Sequence, residues 1–307
     1  MKKLRLLPGT GIIIALAALI VAGVSAPACA EGLTKIAEGV FSYVDAKNPT
    51  PLTSFGANAG IIVGTDGVVV VDTLTSAKEA KRFIRDIRSI TGKPVKYVIN
   101  THHHLDHTLG NSEFAKRGAV IIAQEACKTE ALKDADTILT RALNYGFTKE
   151  ALAGTTVVLP SLTFTDRMTI DLGGRTVELI STGLSHTDGS AIVFVPDVKV
   201  LFAGDTLFTN YHPNVRDANI EGWIKALDRI AGMDAQKIIP GHGPVSTRQD
   251  IADMKSYLQV FDAKARELSA RTNDADAVAA ELKKALPKRE YFEMFIAAGV
   301  KAKYLKK

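Results

Sequence analysis

Seven histidines occur in the 307-residue chain, and four of them fall in one stretch, Thr101-His102-His103-His104-Leu105-Asp106-His107. Side chains two apart on an extended segment point the same way, so His102 and His104 can converge on one ion while His103 points elsewhere and reads as structural. Asp106 and His107 follow where the chain must turn, and can address a second ion nearby. Three more candidates sit among glycines further on: His186 in Gly183-Leu184-Ser185-His186-Thr187-Asp188-Gly189, Asp205 in Ala203-Gly204-Asp205-Thr206, and His242 in Pro240-Gly241-His242-Gly243-Pro244. Five imidazoles and two carboxylates form a borderline nitrogen and oxygen donor set that suits zinc, with iron or manganese as alternatives. Two cations about 3.5–4 Å apart acidify a shared water and clamp the oxygen of a polarised carbonyl or phosphoryl group, so the chemistry expected is hydrolysis without a serine or cysteine nucleophile.

The donors must be carried by rigid elements. Residues 61–63 and 68–72 read as two buried strands joined by a Thr65-Asp66-Gly67 turn. Residues 75–91 place Ala77, Ala80, Phe83, Ile84, Ile87 and Ile90 at helical spacing, with Gly92 as a stop. Strands are expected at 95–99, 120–123, 176–180, 191–195, 199–202 and 237–239, the last ended by Pro240, with helices at 125–134 and 220–230. From Ser246 onward the chain reads as helical. Asp205 and His242 then follow strand ends, where α/β enzymes place ligands. Hairpins mixed with strand-helix units suggest sheets packed face to face with helices outside, and no repeat or linker divides residues 31–307, which read as one domain.

The first thirty residues read as a targeting segment. Lys2, Lys3 and Arg5 precede an apolar run over 12–24, and Ala28-Cys29-Ala30 forms a small-residue cleavage site before Glu31. The run is shorter than the roughly 20 residues that span a bilayer, so a periplasmic or secreted protein with no stable membrane insertion is expected after cleavage. Removal of three basic residues and no acidic ones takes the formal charge from +5 to +2, which gives no reason to expect nucleic acid. Of the two cysteines only Cys127 remains, so no intrachain disulfide is expected, and its place within a helix gives it no catalytic role.

With these residues in view, the sequence resembles the metallo-β-lactamase superfamily, whose pattern H-x-H-x-D-H, then His, then Asp, then His, is filled by His102, His104, Asp106, His107, His186, Asp205 and His242. The resemblance spans about residues 58–246 and implies an αββα sandwich, to which 247–307 adds a helical C-terminal extension. It implies that His102, His104 and His186 hold one zinc ion, that Asp106, His107 and His242 hold the other, and that Asp205 bridges them. Asp106 would also aim the attacking hydroxide, and Asp72 would orient a ligand histidine. Gly204-Asp205-Thr206-Leu207-Phe208 looks like glyoxalase II and its relatives, yet residues 250–307 show no match to the glutathione-binding region of that family. The expected activity is hydrolysis of an ester, lactone or thioester of a small molecule. The alternatives are a β-lactamase and a mononuclear-iron sulfur dioxygenase. Loops at strand ends commonly carry specificity, which makes Phe208, Tyr211 and His212 candidate substrate contacts. The oligomeric state stays open.

Overall fold

The four valines Val68–Val71 are all buried, and they alternate between two different cores, as a strand covered on both faces must. That single run shows why the chain builds four layers. Residues 32–305 are described by a computed structural model, so the expected targeting segment lies outside the described residues. In chain order the elements are β1 (Leu33–Ala37), β2 (Val40–Tyr43), β3 (Ala59–Val63), β4 (Val68–Val71), α1 (Ala77–Ile90), β5 (Val95–Asn100), α2 (Leu105–Thr108), α3 (Asn111–Ala115), β6 (Val120–Gln124), α4 (Glu125–Asp134) and α5 (Ile138–Asn144). They continue as β7 (Leu162–Phe164), β8 (Arg167–Asp171), β9 (Thr176–Gly183), β10 (Ser190–Val195), β11 (Val200–Phe208), α6 (Ile220–Ala231), β12 (Lys237–His242), α7 (Arg248–Ser269), α8 (Ala275–Ala285) and α9 (Met294–Lys303).

The first sheet runs β1 to β7 in sequence order, antiparallel as far as β4 and parallel from β4 to β7. The second has the order β12-β11-β10-β9-β8, with only β11 and β12 parallel. Between them lie Ile62, Val69, Val71 and Ile99 from one side and Leu179, Val193, Phe202 and Ile239 from the other. On the outer face of the first sheet, Val68 and Val70 pack under Phe83, Ile84 and Ile87 of α1. This helix starts where the Ser76 side chain accepts from Glu79 N. On the outer face of the second sheet, Leu201, Ala203 and Ile238 pack under Trp223 and Leu227 of α6 and under Met254, Leu258 and Phe261 of α7. The architecture is an αββα sandwich with a helical C-terminal region.

Three features differ from the sequence expectation. The first sheet begins at Leu33, upstream of the expected core, because β1 and β2 are short strands whose alternation is only partial. The short strands β7 and β8 and the helix α5 were not expected either. Finally, β11 does not stop at Phe202 nor β12 at Ile239. Both run on through the glycine-rich stretches, with register breaks between Phe202 and Gly204 and between Gly204 and Phe208. Pro240 is tolerated because β12 is the edge of its sheet.

Candidate metal centre

The site lies where β4, β5, β11 and β12 end together. His102 and His104 follow β5 directly, and the short α2 that begins at Leu105 turns Asp106 and His107 back toward the same point. His186 comes from the loop between β9 and β10, while Asp205 and His242 stand on the irregular ends of β11 and β12. Two glycines make room for them. Gly204 sits at φ +49, and a Cβ at Gly241 would lie 1.9 Å from Asp205 Oδ1.

The seven donors fall into two groups that could each hold a metal ion: His102, His104, His186 and Asp205, then Asp106, His107 and His242. Donor atoms within each group lie within 4.8 Å of one another. Asp205 touches both. Its Oδ2 is 3.3 Å from His186 Nε2 and 3.6 Å from His102 Nε2, while its Oδ1 is 3.2 Å from His107 Nε2 and 3.5 Å from His242 Nε2. Asp106 Oδ2 lies 3.3 Å from His242 Nε2 and 3.7 Å from His107 Nε2. Only His104 and Asp106 are partly exposed; the other five donors are buried, so the site opens toward solvent at those two.

The far sides of four of the five imidazoles bear on whether these residues suit a cation; His186 Nδ1 is buried without a hydrogen-bond partner among the described residues. His102 Nδ1 lies 3.1 Å from Thr101 Oγ1, His104 Nε2 donates to Asp217 Oδ2 at 3.0 Å, His107 Nδ1 donates to Asp72 Oδ2 at 2.8 Å, and His242 Nδ1 donates to the Phe55 carbonyl at 3.2 Å. With the rear nitrogen carrying the proton, the front nitrogen is a bare lone pair aimed inward. His102 Nε2, His107 Nε2 and Asp205 Oδ1 are buried without a hydrogen-bond partner among the described residues, and His186 Nε2 approaches His104 Nδ1 to 3.1 Å. Buried polar atoms are normally paired. Converging lone pairs that meet no protein donor fit a metal.

The electrostatics agree. Burial drives His102 far down and His186 to about 3, so both imidazoles are neutral ligands at ordinary pH. Burial would lower His107 and His242 too, yet the carboxylates of Asp205 and Asp106 outweigh it and raise His107 strongly and His242 to about 9. Burial would raise Asp205, but His242, His107 and His102 hold it well below the usual carboxylate range. The field that draws protons onto His107 and His242 draws a cation equally.

Asp72 directly follows β4 at φ +59, a conformation uncommon outside glycine, asparagine and aspartate. Both its oxygens are used: Thr101 N donates to Oδ1 and Thr101 Oγ1 to Oδ2, each at 2.8 Å, and His107 shares Oδ2. His103, also buried, is pushed down to about 3 by burial and stands beside the His104 ring, outside both donor groups. Cys127 is buried in α4, where burial pushes its thiol up and leaves no thiolate.

The stretch after Asp205 continues β11 to Phe208, and Tyr211 and His212 beyond it are buried. Phe208 is 1% exposed and stacks on the His242 ring, centroids 5.2 Å apart. Tyr211 is buried with its hydroxyl on the Ala46 carbonyl, and buried His212 pairs with the Tyr257 hydroxyl of α7 at 2.8 Å. The C-terminal region covers them: the guanidinium of Arg289 donates to the carbonyls of Phe208 and Tyr211. Asp217, Thr101 and the Phe55 carbonyl were missed from sequence, since each acts through a histidine far from it in the chain or through its main chain.

Comparisons with known proteins agree with this geometry. A family model described as the metallo-beta-lactamase superfamily matches residues 52–242. The chain is 32% identical over 200 residues to the 2,4-dinitroanisole O-demethylase subunit alpha of Nocardioides sp., covering 64% of this chain and 56% of that protein. It is 26% identical over 229 residues to a linear primary-alkylsulfatase of Pseudomonas sp., covering 63% of this chain and 43% of that protein. The match thus spans about half the length of these two relatives. The metallo-beta-lactamase from Pontibacter korlensis superposes with a TM-score of 0.61 at 22% identity, covering 74% of this chain and 98% of that one, which shows a shared fold. Matched by that family model over more than half of its length, and with the two donor groups at one end of the paired sheets, the chain belongs to the metallo-β-lactamase superfamily of metal-dependent hydrolases.

Proposed function

We propose that the chain is a dinuclear zinc hydrolase acting on the carbonyl of an ester, lactone or thioester. The observation that carries this reading is the pair of adjacent donor groups joined by Asp205. His102, His104 and His186 would hold one ion and Asp106, His107 and His242 the other, with Asp205 between. Four carboxylates, Asp106 and Asp205 inside and Asp72 and Asp217 behind two histidines, balance two divalent cations in charge.

Bound there, the ions would supply a water acidified toward neutral pH and a Lewis acid for the carbonyl oxygen. The chain does the positioning. The contacts of the Asp106 carboxylate to His107 and His242 run through Oδ2, and the residue is partly exposed, so its other oxygen would accept a hydrogen bond from the attacking water. Asp72 and Asp217 fix which nitrogen of His107 and His104 faces the cluster. A second reading, cleavage at an ether or sulfate ester oxygen, is favoured by the two curated relatives, an O-demethylase and an alkylsulfatase.

The test is a substrate panel on metal-quantified protein: aryl and alkyl esters, lactones, thioesters, 2,4-dinitroanisole, an alkyl sulfate and nitrocefin, with oxygen uptake recorded. About two zinc ions per chain and turnover of a carbonyl substrate are expected, with His102→Ala depleting one site and His242→Ala the other. One iron per chain with oxygen uptake and no hydrolysis would overturn the reading in favour of a sulfur dioxygenase.

The mature chain is proposed to act in the periplasm or medium, because the first thirty residues carry basic, apolar and small-residue segments in order. Mass spectrometry of the exported form is expected to start at Glu31. A functional cytoplasmic form that keeps Met1 would rule this out.

A further inference from the structure

We propose that Arg216 reads a carboxylate on the substrate, so that the preferred ester carries an acid group on an aryl or alkyl body; this rests on the hydrolase reading above. Arg216 lies in the segment between β11 and α6. Its guanidinium is held from two directions: Nε donates to Asn214 Oδ1 at 3.0 Å and Nη1 to the Tyr145 hydroxyl at 3.3 Å. It lies 5.9 Å from the ring centroids of both Tyr145 and Phe295. Yet it forms no ion pair, and Nη2 makes no hydrogen bond, among the described residues; the Asp217 carboxylate feels its charge but is turned to His104. A half-buried, immobilised guanidinium has lost part of its hydration and gains little from two neutral acceptors. What remains is the edge formed by Nη2 and the second hydrogen of Nη1, which matches the two oxygens of a carboxylate.

Its place relative to the donors gives this edge a purpose. The next residue, Asp217, holds His104. On the other side Phe295 packs on Phe292, centroids 5.2 Å apart, and Phe292 lies 6.0 Å from the His242 ring. Arg216 and the two phenylalanines therefore bridge from a donor of one group to a donor of the other, beside the mouth at His104 and Asp106. Phe292 is fixed there at φ +64, a backbone conformation costly for a phenylalanine. Both phenylalanines belong to the C-terminal region outside the family-matched residues 52–242, as expected where additions to a common scaffold set specificity. The rings suit an apolar body, and the guanidinium suits its charged end.

The proposal is tested by calorimetry on the zinc-loaded full chain with 3-phenylpropionate and its uncharged isostere 3-phenylpropionamide. The wild type is expected to bind the carboxylate at least about 10-fold more tightly, the effect of a charge-assisted bidentate pair. Arg216→Met is expected to cut that preference to about 2-fold with zinc content and melting temperature unchanged. Arg216→Lys, the milder change, keeps the charge but not the fork and is expected to fall between. A preference as strong in both variants as in the wild type would show that the ions alone read the carboxylate and would overturn the proposal, as would no preference in the wild type. No turnover enters this measurement. A chain that discriminates here but hydrolyses nothing on the panel therefore overturns the hydrolase reading while upholding carboxylate recognition by Arg216.

Discussion

Asp205→Ala is expected to remove both metal ions and, with them, activity by at least roughly 10³-fold, about 4 kcal/mol in the barrier. Asp205 is the one carboxylate that faces four imidazoles, with Oδ2 toward His102 and His186 and Oδ1 toward His107 and His242. Its loss takes a ligand from each group at once and leaves two dications to be offset inside the site by Asp106 alone. Losing an outer partner of a ligand costs about 10–100-fold in metal affinity, and a shared inner ligand must cost more. Asp205→Asn separates charge from shape, since the amide fits the same space beside Gly241 but brings hydrogens toward lone pairs. Elemental analysis after dialysis, with a melting curve for folding, checks both variants. If either retains two zinc ions after dialysis, Asp205 does not bridge.

The parts of this site legible in the sequence are those whose chemistry is local. His102, His104, Asp106 and His107 are dense enough to demand an explanation, and Asp205 and His242 each stand beside a glycine that the backbone needs for close approach. Asp205 and His242 read as residues after strands because Gly204, Pro240 and Gly241 look like turn residues. They lie on strands instead, where the edge position of β12 and a register break in β11 absorb them. Residues that work through tertiary contact left no signal of that kind. Asp217 is one acidic residue in an unpatterned segment, and only the fold brings it to His104, 113 positions away. The same holds for Tyr211 and His212: their stretch looks like a surface loop until α7 and the segment around Arg289 and Tyr291 close over it. In the sandwich core the buried strand at 68–71 was readable, because four consecutive valines suit a strand covered on both faces, and each valine meets a different core from its neighbour.

Asp106→Ala is expected to damage turnover more than metal content. The variant keeps His107 and His242 in the second group, still oriented by Asp72 and the Phe55 carbonyl, and keeps Asp205 between the groups. Some affinity for the second ion therefore survives. What does not survive is the partly exposed carboxylate. The other inner carboxylate, Asp205, is buried with its oxygens turned toward the four imidazoles, away from a water approaching where Asp106 and His104 are exposed. Removing a group that aims a nucleophile costs on the order of 10²-fold or more, about 3 kcal/mol in the barrier. Asp106→Asn refines this, because the amide can still accept at one atom but cannot offer a charged ligand to the ion. It is expected to recover part of the aim while binding the second ion no better than alanine does. The measurement is turnover of the best panel substrate at saturating zinc, beside the zinc content of the same sample. Two ions with near wild-type turnover in Asp106→Ala would exclude Asp106 from the reaction, and one ion with activity restored by added zinc would reduce it to a ligand.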